Sequence, residues 1–264
     1  MEEDARNRDY VRQCGGIAAL VGLLAPGGAA GVHHEAILAL DCLCLDSSKN
    51  QERVREGGGV AALVGLLAPG SSADVQRMAA GTLANLCLLD RPSSDSVREC
   101  GGVAALVGLL APDGSADVQE QAARALGHLG LEHNNMNKDS VGEAGGIAAL
   151  VALLAPGGSA AGNEQAAGAL ANLGCHHAIN QDRAGECGGI AALVGLLAPS
   201  NPLPVRAAAA AALNNLCADF HARNQESARE CGAEAALVGL LAPGVPANVV
   251  KFASAALNKL GGST

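Results

Sequence analysis

The cysteines and histidines are the side chains of this sequence best suited to bind a metal ion or to act as nucleophiles. Nine cysteines and seven histidines occur in 264 residues. The adjacent pairs His33–His34 and His176–His177 are too far apart along the chain to share an ion easily, and we expect solvated histidines in loops or at helix edges. Cys42 and Cys44, two residues apart, point to different faces of a helix. The spacing therefore predicts no metal site.

Most of the cysteines recur at two places in a repeated pattern, which favours packing over reactivity. One group directly precedes a glycine turn, where Gly57 and Ala144 stand in other copies, and a second group ends the long segments. Interchange with glycine and alanine predicts small, buried side chains at these places. The two groups are Cys14, Cys100, Cys187 and Cys231, and Cys44, Cys87 and Cys217.

No nucleophile, base and acid stand together in a catalytic arrangement. The glycine-rich stretch 57–59 could suggest a phosphate cradle, but the Lys-Ser/Thr pair of a P-loop does not follow it. We therefore expect a protein that is not an enzyme and uses no cofactor.

The elements that position these side chains are repeats of one phrase. The segment GGIAALVGLLAP begins at Gly15 and occurs in six closely similar copies in total, at a period of 43 or 44 residues. Such a period is typical of a solenoid, in which each unit buries its apolar face only against its neighbours. The phrases close on Pro26, Pro69, Pro112, Pro156, Pro199 and Pro243.

Each unit contains a short, a medium and a long helical segment. In the unit from Gln51 to Asp90, the short segment ends in glycines and Pro69 stops the second segment. Apolar residues at helical spacing mark one face of each later segment. These faces are Val60, Leu63, Val64 and Leu67, followed by Val75, Ala79, Leu83 and Leu86, with Val32, Ala36, Leu40 and Leu43 as the first copy of the latter.

A three-helix unit of this period, with a Gly-Gly-Ile/Val turn and an A-L-x-N-L third helix at 169–173, resembles the armadillo repeat. The resemblance implies an all-α fold, a right-handed α-solenoid superhelix of six three-helix armadillo repeats in one domain, 1–264. An asparagine is expected before the first helix at Asn7, Asn50, Asn137, Asn180 and Asn224. The repeats are expected at about 5–48, 49–91, 92–134, 135–178, 179–222 and 223–264.

The resemblance also implies where a partner binds. In armadillo proteins the third helices line a concave groove, and the asparagine of A-L-x-N-L holds the main chain of an extended peptide. That role falls on Asn85, Asn172 and Asn215, with His128 as a substitute donor. An amide suits it because it both donates and accepts hydrogen bonds. The alternative is that these asparagines only cap or bridge adjacent third helices.

Other residues on the third helices differ between repeats, so they are candidates to select the partner's side chains. Nuclear import adaptors of this family place Trp four residues before the asparagine, whereas this chain has no Trp and therefore lacks walls for lysine and arginine side chains. Small residues there instead predict depressions for apolar side chains. The selecting residues are Arg77, Glu120, Arg124, Glu164 and Lys251.

The composition indicates which classes of partner and which cellular compartment to expect. The net charge of −9 argues against nucleic-acid binding, and no apolar run is long enough to cross a membrane. An odd number of cysteines favours a reducing compartment, cytoplasmic and/or nuclear. Glu234, Lys251 and Lys259 indicate a polar last repeat.

The sequence favours a monomeric, non-enzymatic module for protein–protein interaction that binds an extended peptide segment. Three alternatives stay open: a structural component of a larger assembly that packs through its ends or edges, the substrate-recruiting part of a ubiquitin ligase complex, and a consensus-like scaffold without a tight partner.

Overall fold

The described part of the chain forms six consecutive sets of three helices. The structure, a computed structural model, describes residues 2–45, 47–131, 134–218 and 221–261, with side chains from Arg6 onward except that of Leu89. Within these ranges every regular element is helical. The all-α three-helix organisation predicted from the sequence is confirmed.

The helices are numbered in chain order, and each group of three forms one repeat. The first helices are α1 (Glu2–Gln13), α4 (Ser48–Glu56), α7 (Arg91–Glu99), α10 (Asn135–Glu143), α13 (Ala178–Glu186) and α16 (Ala222–Glu230). The second helices are α2 (Gly16–Gly22), α5 (Gly59–Gly65), α8 (Gly102–Gly108), α11 (Gly146–Leu153), α14 (Gly189–Leu196) and α17 (Ala233–Val238), the last followed by a 3₁₀ turn at Gly239–Leu241. The third helices are α3 (Ala30–Cys44), α6 (Ala73–Leu89), α9 (Ala116–Leu129), α12 (Ala160–Gly174), α15 (Leu203–Leu216) and α18 (Ala247–Leu260).

The glycine pair between the first and second helices makes a tight corner. Its first member is left-handed in every repeat, with φ of 76–79°, which only glycine adopts without strain. Its second member begins the second helix and lies where a side chain would collide. At Gly102 a methyl group would lie 2.6 Å from Val97 Cγ1 and 2.9 Å from Val64 Cγ2 of the preceding repeat. The repeated phrase is therefore fixed by packing.

Leucine, valine, isoleucine and alanine form one apolar core that runs through all six repeats. The predicted face of α6, from Val75 to Leu86, is at most 2% exposed, so that prediction is confirmed. Its counterpart Val32 in α3 is 43% exposed because no described residue packs on that side of the first repeat.

The first helices begin earlier than predicted, because four of the expected asparagines are the third residue of the helix instead of preceding it. Their side chains are buried, and three of them donate to the end of the preceding third helix, whereas Asn137 accepts a hydrogen bond from Arg98 Nε. Asn180 Nδ2 donates to Leu173 O (3.3 Å) and to Lys138 O of the preceding first helix (3.0 Å). The four residues are Asn50, Asn137, Asn180 and Asn224.

A buried lysine marks the fourth repeat. Lys138 is 1% exposed, and its Nζ donates to Cys175 O at 2.6 Å. Burial lowers its pKa below the ordinary 10.5. Gln51 and Gln181 stand at the equivalent position in other repeats and donate to main-chain oxygens at the end of the preceding third helix. A neutral amide therefore serves this position elsewhere in the array.

The predicted burial of the cysteines before the glycine turn is wrong. These residues follow the last turn of a first helix, and the left-handed glycine after them leaves their side chains in solvent. The exposed set is Cys14, Cys100, Cys187 and Cys231. The prediction is confirmed for the second group, Cys44, Cys87 and Cys217, which are buried with the pKa of each thiol raised to about 12 by that burial.

The predicted solvation of the histidine pairs is wrong for one member of each. His33 is 6% exposed and donates from Nε2 to Ala25 O (3.1 Å). His177 is 7% exposed, and its Nδ1 accepts from the main-chain N–H of Asn180 (3.3 Å) at the start of α13. His33 thus connects α3 to the segment that follows α2, and His177 caps the start of α13. Composition alone does not reveal these roles.

The last repeat is only partly polar. Glu234 and Lys251 are exposed, as expected, but Val238 and Phe252 are also 54% and 37% exposed. The predicted polar end is therefore interrupted by apolar side chains.

Candidate functional site

The third helices pack side by side in chain order, α3 to α18, and form a continuous surface. The predicted site residues recur on this surface at intervals of one repeat. Where the A-L-x-N-L asparagine is expected, α6, α12 and α15 carry Asn85, Asn172 and Asn215, and α9 carries His128. All four side chains are partly buried.

Three of these side chains reach the main chain of the preceding third helix. Asn172 Nδ2 donates to Gly127 O (3.2 Å) and Asn215 Nδ2 donates to Ala171 O (2.8 Å). His128 Nδ1 donates to Ala84 O (2.7 Å). Burial lowers the pKa of His128 below 6.5, so the ring is neutral at pH 7 and keeps Nε2 as an acceptor.

Asn85 makes a bridge of a different kind. Its Nδ2 donates to Asp41 Oδ1 of the first repeat (2.7 Å), and its Oδ1 accepts from Arg124 Nη2 of the third repeat (3.2 Å). Arg124 Nη2 also donates to Gly81 O (3.0 Å). One asparagine thus connects three consecutive third helices.

The bridging that the sequence left open as an alternative is present in the free chain. Each bridge occupies one of the two N–H groups of an asparagine amide, so the amide retains capacity for a further hydrogen bond. These four side chains, Asn85, His128, Asn172 and Asn215, form a row that is held in a fixed geometry before any partner binds.

Three of the predicted residues come together around one depression, a cavity of about 320 Å³ on α3, α6 and α9. Arg77, Asn85 and Arg124 line it, with Gly81 between them and Leu38 at its edge. Gly81 leaves the space open, since a methyl group there would meet only the flexible ends of two side chains.

An ion-paired network holds the rim of this depression. Arg77 Nη2 donates to Asp74 Oδ1 (2.7 Å), and His34 Nδ1 donates to Asp74 Oδ2 (2.7 Å). The hydrogen bonds from Arg77 and then His34 hold the pKa of Asp74 below its ordinary value. Asp74 therefore stays ionised and keeps the arginine at the rim.

A second depression, about 500 Å³, lies at the ends of α12, α15 and α18. It contains Asn215 together with His177, His221 and Lys259. Both histidines lie just before a first helix and face an aspartate of the preceding repeat, His177 with Asp139 (3.1 Å) and His221 with Asp182 (3.0 Å). Sequence reasoning missed this site; the 44-residue spacing of the two histidines was the available signal.

Glu120, Glu164 and Lys251 line neither of these two depressions. They occupy the same third-helix position as Arg77, one turn before Gly81 and its equivalents. Glu120 and Glu164 are partly buried and Lys251 is exposed. The predicted selecting residues are thus spread along the array.

The described ranges contain no group of three or more histidine, cysteine or acidic side chains placed to hold a metal ion. In the same ranges no helix is both long and apolar enough to cross a membrane.

Comparison with protein families settles the class of this repeat. The Armadillo/beta-catenin-like repeat matches residues 47–88, 90–130, 134–174 and 180–218, more than half of the chain. The chain belongs to the armadillo repeat family. Each match covers one three-helix set, from the second repeat to the fifth. A comparison of this armadillo chain with curated proteins finds no match.

Solved structures similar to this armadillo protein include engineered arrays. An engineered protein of the Northeast Structural Genomics Consortium is 28% identical with a TM-score of 0.84, over 93% of this chain and 96% of that one. The designed armadillo repeat protein YIII(Dq)4CqI is 27% identical with a TM-score of 0.82, over 92% and 99%. The fold is therefore the armadillo α-solenoid predicted from the sequence.

One similar structure contains a ligand. The designed armadillo repeat protein YIII(Dq.V1)4CPAF, in complex with the peptide (KR)4, is 26% identical with a TM-score of 0.80. The match covers 92% of this chain and 99% of that one.

Proposed function

We propose that this protein is a non-enzymatic scaffold that binds an extended peptide segment of a partner along the surface of its third helices. The observation that carries the proposal is the row of polar side chains, fixed at one-repeat intervals, that opens into the depression around Gly81. A similar designed armadillo protein binds a peptide, which supports this use of the fold.

The spacing of the row suits an extended chain. Packed helices lie about 8–10 Å apart, and an extended peptide advances about 3.3 Å per residue, so each repeat faces two to three peptide residues. The free N–H of each asparagine amide would then meet a peptide carbonyl in each repeat, whatever the peptide's side chains are.

Charged side chains beside the row would select the partner's sequence. Arg77 and Arg124 favour an acidic or polar side chain at the first depression, whereas Glu120 and Glu164 favour a basic one further along. At this depression the two arginines favour an acidic or polar side chain in place of the apolar one expected from the sequence. The partner is therefore expected to be a peptide of mixed charge with a side chain large enough to fill the space above Gly81.

The experiment fills this depression while it leaves the hydrogen bonds of His128, Asn172 and Asn215 in place. Gly81→Leu adds a side chain whose Cβ would lie 3.2 Å from Gln121 Oε1 and 3.6 Å from Arg124 Nη2, which are the ends of two flexible side chains. Gly65→Leu on α5 is the matched control, because nothing lies within 4 Å of a Cβ there. A peptide selected from a random library on the wild-type protein is titrated against all three proteins by calorimetry.

We expect Gly81→Leu to weaken the selected peptide at least tenfold and Gly65→Leu to leave its affinity unchanged. Peptides that bind both variants as tightly as the wild type would show that the third-helix surface is not the binding site. A library that yields no binding peptide at all would equally count against the proposal.

A further inference from the structure

Successive repeats contact each other through a valine on the second helix of one repeat and a glycine on the second helix of the next. A methyl group placed on Gly59 would lie 3.2 Å from Val21 Cγ2, and one placed on Gly189 would lie 2.9 Å from Val151 Cγ2. The contact occurs at four successive junctions and depends on the absent side chain of glycine. The four pairs are Val21 with Gly59, Val64 with Gly102, Val107 with Gly146, and Val151 with Gly189.

In the two end repeats no described residue of another repeat covers the corresponding valine and glycine. Val238 stands at the valine position and is 54% exposed, whereas Val194 one repeat earlier is 8% exposed. Gly16 stands at the glycine position, and the three atoms nearest to a methyl group placed there all belong to Val11 of its own repeat. The last repeat therefore exposes the valine of the contact, Val238, and the first repeat exposes the space over Gly16 that such a valine would fill.

A leucine beside the gap shows the same difference. Leu66, on the second helix of the second repeat, is 4% exposed because the first repeat covers it. Its equivalent Leu23 is 48% exposed. The leucine that the second repeat buries is thus open to solvent on the first repeat, whereas the equivalents Leu109 and Leu153 are partly buried.

The polar contacts between repeats have matching halves as well. Arg98 Nε donates to Asn137 Oδ1 of the next first helix (3.0 Å). By the repeat period, Arg229 at one end of the array corresponds to Arg98, and Asn7 at the other end corresponds to Asn137. Arg229 Nε already donates to Leu260 O of its own repeat (2.8 Å), so in a copy placed by the internal repeat geometry Arg229 would reach Asn7 through a terminal guanidinium nitrogen.

The charges at the ends are complementary. Gln121 lies against Gly81 of the preceding third helix, and the equivalent pair across a junction of two copies is Glu35 with Ala255. Ala255 stands one turn from both Lys251 and Lys259 on α18. The exposed carboxylate of Glu35 would therefore lie between two lysines.

We propose that copies of this chain associate head to tail, with Val238 of one copy against Gly16 of the next. The occupant is a second copy because the interface continues one that the chain already forms between its own repeats. Such a contact joins two different surfaces, so each added copy leaves one free end of each kind and the array lengthens.

The experiment uses two variants that each block one end. Leu23→Asp and Val238→Asp replace half-exposed apolar residues, and Ile179→Asp on α13, 54% exposed, is the mid-array control. Mass is measured by sedimentation velocity from micromolar to near-millimolar protein, with circular dichroism as the check on folding. Glu35→Lys and its combination with Lys251→Glu provide a second test if either aspartate variant fails to fold.

We expect the mass of the wild type and of the control to rise with concentration while each blocked variant stays monomeric. An equimolar mixture of the two blocked variants should reach twice the monomer mass and no more, since one intact end of each kind remains. In the second test, Glu35→Lys should weaken association and Lys251→Glu should restore it. A wild type that stays monomeric throughout, a mixture that stays monomeric, or charge variants that associate as the wild type does would overturn the proposal.

Discussion

Replacing the three bridging asparagines together by alanine should lower stability by a measurable and bounded amount. Asn172 and Asn215 each donate one bond to a main-chain oxygen, worth about 1 kcal/mol. Alanine is a better helix former than asparagine by about 0.5 kcal/mol. The net loss is therefore about 0.5 kcal/mol at each of these two positions.

Asn85 should cost more because both of its partners are charged. Hydrogen bonds to charged groups contribute about 1.5–3 kcal/mol, and partial exposure reduces this to about 1–2 kcal/mol for Asn85. The three sites lie at different inter-helix junctions, so their effects should add. The triple variant is expected to lose about 2–3 kcal/mol.

The assay is urea denaturation followed by circular dichroism at 222 nm, with thermal melting as a second measure. For a chain of this length each kcal/mol corresponds to about 2–3 °C, so melting should fall by about 4–9 °C. Asn258→Ala, at an exposed site on α18, is the control and should not lower stability. A triple variant as stable as the wild type would refute the contribution assigned to the bridges.

Three further predictions follow from packing and burial. Gly102→Ala should destabilise by about 1–3 kcal/mol through overlap with two valines, whereas Gly108→Ala, with open space around it, should stabilise by about 0.5–1 kcal/mol; urea titrations giving both variants the same sign would contradict this. Lys138→Gln should stabilise at pH 7 by about 1 kcal/mol. Because the pKa of Lys138 is lowered in the folded protein, the wild type gains stability as pH rises toward 10.5, whereas Lys138→Gln does not. The difference between their free energies of unfolding should therefore shrink with rising pH, and a difference independent of pH would contradict a destabilising charge on buried Lys138. In the native protein a thiol reagent should modify the exposed cysteines rapidly and should modify the buried cysteines, whose pKa is raised, only on unfolding. The buried cysteines are Cys44, Cys87 and Cys217. Equal modification rates of the two groups, measured by mass spectrometry, would contradict this burial pattern.

The sequence predicts the elements well because each repeat is specified locally. Helical spacing, Pro69 and the glycine pairs define where helices begin and end, and the structure confirms the buried face from Val75 to Leu86. Contacts that join different repeats were not predictable in the same way. His177 finds Asp139 and Asn85 finds Asp41 across a junction between repeats, and period alone does not give that register.

The errors at the cysteines have a similar cause. Interchange of Cys187 with glycine and alanine in other repeats predicts burial, yet a position just after a helix end accepts small residues for its backbone turn and leaves the side chain in solvent. The same pattern of small residues was correct at Cys217, where the next first helix covers the thiol. Small size therefore indicates a constraint without saying which one.

The glycine that begins each second helix illustrates a packing compensation within the array. In the sixth repeat Ala233 replaces it and is fully buried. The valine of the first helix, Val97 in the third repeat, is replaced there by Ala228. The loss of two methyl groups from the first helix of this repeat leaves space for the one methyl group gained by the second helix, so the corner between the two helices stays packed.

The most direct test of peptide binding on the third-helix surface is the side-chain amide NMR spectrum recorded during a titration with a library-selected peptide. We expect the amide resonances of Asn85, Asn172 and Asn215 to shift as peptide is added while that of Asn258 stays in place. Shifts confined to residues of the first and second helices, with all three asparagines unchanged at saturation, would contradict it.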